Sequence, residues 1–93
     1  MLRNVEGRIA AAERRLRSML EQHDSVRVQD TRCYSSKPNT VGGALYWHAV
    51  QRLLSQGDAV LRQRIVVDVR KGPGERDRRK IVMLIGPKQQ EII

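Results

Sequence analysis

Phenylalanine is absent from the 93 residues, and Trp47, Tyr34 and Tyr46 are the only aromatic side chains. A core built from this chain therefore rests on Leu, Ile, Val and Met. Cysteine occurs once, at Cys33. That excludes an internal disulfide framework and a cysteine-rich zinc site, and it suits a reducing intracellular compartment. His23 and His48 lack the cluster of neighbouring ligands that a metal needs. No window approaches the roughly 18 apolar residues of a membrane-crossing helix, and no apolar region of a secretory signal is present. Walker and metalloprotease signatures are missing, as are carboxylates paired for acid–base work. Nothing in the spacing recruits Cys33 and His48 as nucleophile and base. The sequence argues against an enzyme and implies no cofactor.

What is present is positive charge. Eighteen basic residues stand against ten acidic ones, a net charge of +8, and all the basic residues are Arg except Lys37, Lys71, Lys80 and Lys88. The guanidinium fork pairs with phosphate oxygens in a bidentate way, so an arginine surplus points to phosphate-bearing partners, nucleic acid first. A chain of this length forms one domain and buries only about 60–65% of its unfolded surface.

Residues 1–23 read as an amphipathic helix. Leu2, Val5, Ile9, Ala12, Leu16 and Met19 recur at alternating steps of three and four, the a/d seam of a helix that packs on another helix. The seam serves either the chain's own core or a partner's groove, and Leu2, Val5, Ile9, Leu16 and Met19 are the protein-interaction candidates under the second reading. Glu13 and Arg17 stand four apart in the order that favours an ion pair within the helix. Ser25–Gln29 suggests a short strand with Val26 and Val28 on one face and Arg27 on the other. Residues 30–42 are polar and small and read as a loop, in which Asn39 or Thr40 offers an N-cap. Residues 43–93 are expected to form a second helix followed by a β-hairpin. The helix runs from about Gly43 to Gln56, with Tyr46, Trp47, Val50, Leu53 and Leu54 on its apolar face and Gly57 at its end. One strand spans about Val60 to Arg70. The other spans Lys80 to Ile85, and its run Ile81-Val-Met-Leu-Ile85 is unbroken and apolar, as expected of a central strand covered on both sides.

The densest charge lies in this hairpin. Between residues 62 and 80 eight basic residues meet only Asp68, Glu75 and Asp77, which supplies +5 of the net +8. Period-two geometry places Arg62, Arg64 and Arg70 on one face of the first strand. Lys71, Arg76, Arg78, Arg79 and Lys80 are expected to project from the turn. Such an array neutralises several phosphates, and counterion release then drives association. Structured RNA suits it, because RNA is read largely through shape and backbone. Gly72-Pro73-Gly74 reads as a turn, since no helix follows to cradle a phosphate.

Two resemblances add to this reading. Arg32-Cys33-Tyr34-Ser35-Ser36 is similar to the Arg-x-Tyr-Ser pattern at which mitochondrial presequences are cut, although Glu6, Glu13, Glu21, Asp24 and Asp30 run against a transit peptide. A mitochondrial address is one open reading. Lys37 and Thr40 come before a helix that ends Leu53-Leu-Ser-Gln-Gly57-Asp58. A basic strand with Arg62, Arg64 and Arg70 and a final Ile81-Val-Met-Leu-Ile-Gly-Pro87-Lys88 follow. In these features residues 37–88 resemble the C-terminal domain of translation initiation factor 3. That resemblance implies a non-catalytic contact with ribosomal RNA on the small subunit, with Lys37, Arg52, Arg62, Arg64 and Arg70 as contact residues. The family carries a further helix and strand between its basic and final strands, where this chain has only a turn. Residues 1–29 would supply them in permuted order. Tyr46 and His48 stand where the family places positive charge.

The expected fold is α+β, two helices on one face of a two- or three-stranded sheet that ends in a basic β-hairpin. The expected function is RNA binding, ribosomal RNA or another ribonucleoprotein being the partner and translation the context. Two alternatives stay open: an assembly subunit or homo-oligomer docked through residues 1–23, and an architectural protein whose basic arm enters DNA.

Overall fold

The N-terminal apolar stripe becomes helix α1 (Leu2–Gln22), and its i, i+3, i+4 positions turn into the chain's own core. Ile9, Ala12, Leu16, Met19 and Leu20 are buried, and Leu16 is fully enclosed. The seam considered for a partner is therefore consumed internally at Ile9, Leu16 and Met19. Val5, one turn from the N-terminus, is 40% exposed, and Leu2 contributes only described backbone. The structure, a computed structural model, describes residues 2–33, 37–69 and 78–88.

After α1 come strand β1 (Val26–Gln29), strand β2 (Thr40–Gly42), helix α2 (Ala44–Ser55), strand β3 (Ala59–Val69) and strand β4 (Arg78–Pro87). The four strands form one mixed sheet in the order β2-β1-β4-β3. β1 pairs with β2 in parallel, and β4 runs antiparallel to both β1 and β3. Both helices lie on one face of the sheet. Val26 and Val28 of β1 and Met83 and Ile85 of β4 meet Val50 and Leu53 of α2 and the α1 stripe there. The architecture is thus α+β, with one strand more than expected.

That extra strand, β2, occupies the end of the segment read as a loop. Asn39 holds it: its carbonyl accepts the Arg27 N–H at 2.8 Å, and its side-chain amide donates to Ser25 O at 3.3 Å. Residues 39 and 40 therefore serve the sheet rather than cap a helix. The N-cap of α2 is Gly43, whose carbonyl accepts Trp47 N–H at 2.9 Å. Thr31 and Cys33, which follow β1, press on Gly42. A Cβ at Gly42 would lie 2.9 Å from Cys33 Cβ, so no larger residue fits there. The expected presequence-like motif is described only at Arg32 and Cys33; Tyr34, Ser35 and Ser36 lie outside the described residues.

α2 closes as the sequence indicates. Gly57 takes φ 75°, its N–H donates to Leu54 O, and Asp58 N–H donates to Leu53 O at 2.9 Å. This double bond pattern satisfies two otherwise unpaired carbonyls of the last turn. Arg17 reaches across from α1 to the same turn, pairing with Asp58 at 2.8 Å. Glu13, four residues earlier, turns instead to Arg52 at 3.5 Å. The pair expected within α1 is replaced by two pairs between elements. At the far end of β1, Asp30 N–H donates to Ile81 O and Asp30 Oδ1 accepts Ile81 N–H, both at 3.0 Å, which closes the β1–β4 ladder. No helix among the described residues is long and apolar enough to cross a membrane.

Leu16 sits where α1, α2 and the sheet meet. Leu16→Ala should lower the unfolding free energy by about 3 kcal/mol in a urea titration, a large share of the stability of a domain this size. Leu16→Asp should give an unfolded chain by circular dichroism; a folded monomer released from an oligomer would assign the seam to a partner after all.

Candidate nucleic-acid interface

The placement of the hairpin arginines turns on one irregularity. β3 pairs with β4 in register from Ala59↔Pro87 to Leu61↔Ile85, and again from Gln63↔Leu84 to Val69↔Arg78, with a register shift between Leu61 and Gln63. Arg62 is the additional residue, and a β-bulge of this kind reverses the alternation beyond it. Ala59 and Leu61 lie on the helix side of the sheet, opposite Pro87 and Ile85. Past the bulge that side passes to Arg64 and Val66, while Gln63, Ile65 and Val67 take the open side with Val82 and Leu84. The single face expected for Arg62, Arg64 and Arg70 is therefore divided. Arg62 goes to the open side and Arg64 to the helix side. Arg70 lies outside the described residues.

Arg62 is held on the open face by a glycine. Its guanidinium lies against the Cα of Gly86, so that a Cβ at Gly86 would come within 2.6 Å of Arg62 Cζ. Lys80 and Arg27 occupy the same face, by register with Val67 and Leu84 respectively. No Asp or Glu shares that face among the described residues of the four strands. Two polar atoms there, Arg27 Nε and Gln29 Oε1, are buried without a hydrogen-bond partner. Arg27 thus joins the basic surface, although only the alternation Val26-Arg27-Val28 hinted at it.

On the helix side the hairpin runs past the helical layer. Val66 is 59% exposed and Leu61 49%. Arg64 and Arg79 are exposed on this side, and Asp68 stands opposite Arg79 in the ladder. Arg64 faces α2 across an open groove of about 290 Å³ whose other walls are Trp47, Gln51, Leu61 and Met83. Trp47 is half-buried.

The remaining candidates are dispersed. Arg78, Arg79 and Lys80 belong to β4 rather than to a turn, and Lys71 and Arg76 lie outside the described residues. Lys37 is exposed in the connection to β2, at the edge of the sheet remote from β3. Arg52 is engaged inside the molecule. It donates to both oxygens of Glu6 at 2.8 Å and also faces Glu13. The hydrogen bond to Glu6 is the main cause holding its pKa above the ordinary arginine value. Arg17 and Arg52 of the helical layer form ion pairs; among the described residues neither Arg62 nor Arg64 is found in one. Among these residues, no group of three or more His, Cys, Asp and Glu could hold a metal ion. Comparison of the chain with protein-family models, with curated proteins and with solved structures finds no significant match.

The packing of Arg62 on Gly86 is open to a double-mutant cycle. Gly86→Ala in the native chain should change stability little, because the gain of a strand-compatible residue is offset by displacing the guanidinium. In an Arg62→Ala background the same change should stabilise by about 0.5–1 kcal/mol. Equal effects in both backgrounds, measured by thermal unfolding, would show that the two residues do not meet.

Proposed function

We propose that the protein is a non-catalytic RNA-binding domain that grips phosphates with its β3–β4 hairpin. The observation that carries this reading is the division of labour among the arginines. Arg17 and Arg52 of the helical layer are matched by Asp58, Glu6 and Glu13, whereas Arg62 and Arg64 on the hairpin are exposed and have no carboxylate partner among the described residues. Cations without a counter-charge on one short ribbon repel one another and are retained most readily where a polyanion neutralises them.

The bulge adds a geometric argument. With Arg62, Lys80 and Arg27 on one face and Arg64 and Arg79 on the other, the hairpin is basic on both sides. A ribbon of that kind suits a partner that surrounds it, such as a folded RNA whose backbone approaches from two directions, better than one lying flat against the sheet. The resemblance to the initiation-factor domain points to ribosomal RNA, and a translational role follows from it as part of the same proposal.

A matched pair of variants tests the reading. Arg62→Gln with Arg64→Gln removes two hairpin cations; Arg17→Gln with Arg52→Gln removes two cations of the helical layer for the same change in net charge. In filter-binding or anisotropy titrations with structured RNA, the first variant should flatten the dependence of log K on log salt by about 1.4–1.8, and the second should leave it unaltered. Equal losses in both variants would mean that only bulk charge matters. A native salt slope near zero would remove the proposal altogether, and preferential competition by duplex DNA would redirect it to DNA.

A further inference from the structure

The groove between Trp47 and Arg64 has a composition that phosphate binding does not need. Its walls are an indole, Leu61 and the well-buried Met83, and its polar groups are one amide, Gln51, and one guanidinium, Arg64. In a chain with one tryptophan and no phenylalanine, burying the indole completely would contribute most to the core. Instead Trp47 lies at the margin of that core, half-buried, and turns toward an open cleft. Leu61 beside it is 49% exposed.

We propose that this groove receives one unpaired base of the RNA strand whose backbone the hairpin holds, an inference that rests on the function proposed above. The occupant follows from the chemistry of the walls. A flat ring gains by stacking on the indole, and every base offers such a face. Gln51 supplies a donor and an acceptor for a base edge. Arg64 faces either the ring or the phosphate that follows it. An aliphatic peptide side chain would fill the apolar part but leave the guanidinium and the surrounding positive charge without a counter-charge, whereas a nucleotide brings its own. The base must be unpaired, because in a duplex both of its faces are stacked and the deep groove of A-form RNA is closed to side chains.

The bulge is what makes the groove. Had the alternation continued from Leu61, Gln63 would face Trp47 and Arg64 would lie on the opposite side of the sheet. The register shift brings Arg64 opposite Met83 and so into line with α2.

Trp47 is the sole tryptophan, so its fluorescence reports on this groove alone. The experiment titrates the protein with a single-stranded RNA octamer and with a blunt RNA duplex of the same length, following Trp47 emission and the anisotropy of end-labelled RNA together. The expected result is saturable quenching by the single strand at the concentration where anisotropy rises, with little quenching by the duplex. Trp47→Leu should weaken single-strand binding about tenfold and duplex binding hardly at all, while Trp47→Phe keeps most of the affinity. Gln51→Ala, on an exposed side chain of α2 outside the hairpin, should also weaken single-strand binding with an unchanged circular dichroism spectrum; it covers the case in which Trp47→Leu fails to fold. RNA binding with constant Trp47 emission and native single-strand affinity in the Gln51→Ala variant would overturn the base site while leaving the hairpin reading in place. No binding of either RNA would overturn both. Emission that responds only to rising protein concentration would assign the groove to a second copy of the chain and overturn the proposal.

Discussion

One additional residue in β3 decides which side of the sheet each of its later side chains occupies. Before Arg62, strand and helical layer are in phase, and Ala59 is buried beneath the helices. After it the phases are exchanged, and Val66 stands exposed on the side where the core would otherwise continue. The bulge is thus the boundary between the part of the hairpin that completes a core and the part that extends beyond it. It falls at the edge of the sheet, where an unpaired residue costs the fewest ladder bonds. A guanidinium occupies it because Gly86 across the ladder leaves room for that group to lie flat.

The helical layer depends on a different economy. With few aromatic residues, the contact between α1 and α2 is made by small and branched side chains, Ile9, Ala12 and Leu16 against Ala49, Val50 and Leu53. The rim of this contact is where the acidic residues are used. Glu6 and Glu13 converge on Arg52, and Asp58 meets Arg17. Exposed pairs of this kind contribute little to stability, so their larger effect is on orientation. They also leave the hairpin without counter-charges from the helices.

Much of this was legible in the amino-acid order. The three–four spacing of Leu2 to Met19 gave α1 and its buried face, and Gly57-Asp58 gave the end of α2, because both are local consequences of helix geometry. The unbroken Ile81–Ile85 run gave a central strand. β2 was not legible. Thr40-Val41-Gly42 is too short to show a period, and its pairing depends on Asn39 and Arg27, which only the folded chain brings together. The bulge was half-visible. Gln63 interrupts the apolar alternation of Leu61, Ile65, Val67 and Val69, and the register shift falls beside it. Strict period two therefore put Arg62 and Arg64 together when the fold separates them. Arg27 and Trp47 escaped the list of candidate residues because neither belongs to a charge run. Their importance depends on neighbours distant in sequence.

The eleven-residue strand β3 is also the outermost strand of its sheet, with one row of backbone N–H and C=O groups facing away from the molecule. Such a row is a template on which another chain can build, and long uncharged examples seed fibrils. Here Val66 and Leu61 supply the sticky side chains, while the arginine-bearing kink acts as the gatekeeper that keeps a second molecule from zipping on. Whatever else the cations of β3 do, their mutual repulsion opposes such stacking. High ionic strength, by weakening their mutual repulsion, is the condition under which this margin against self-stacking is smallest.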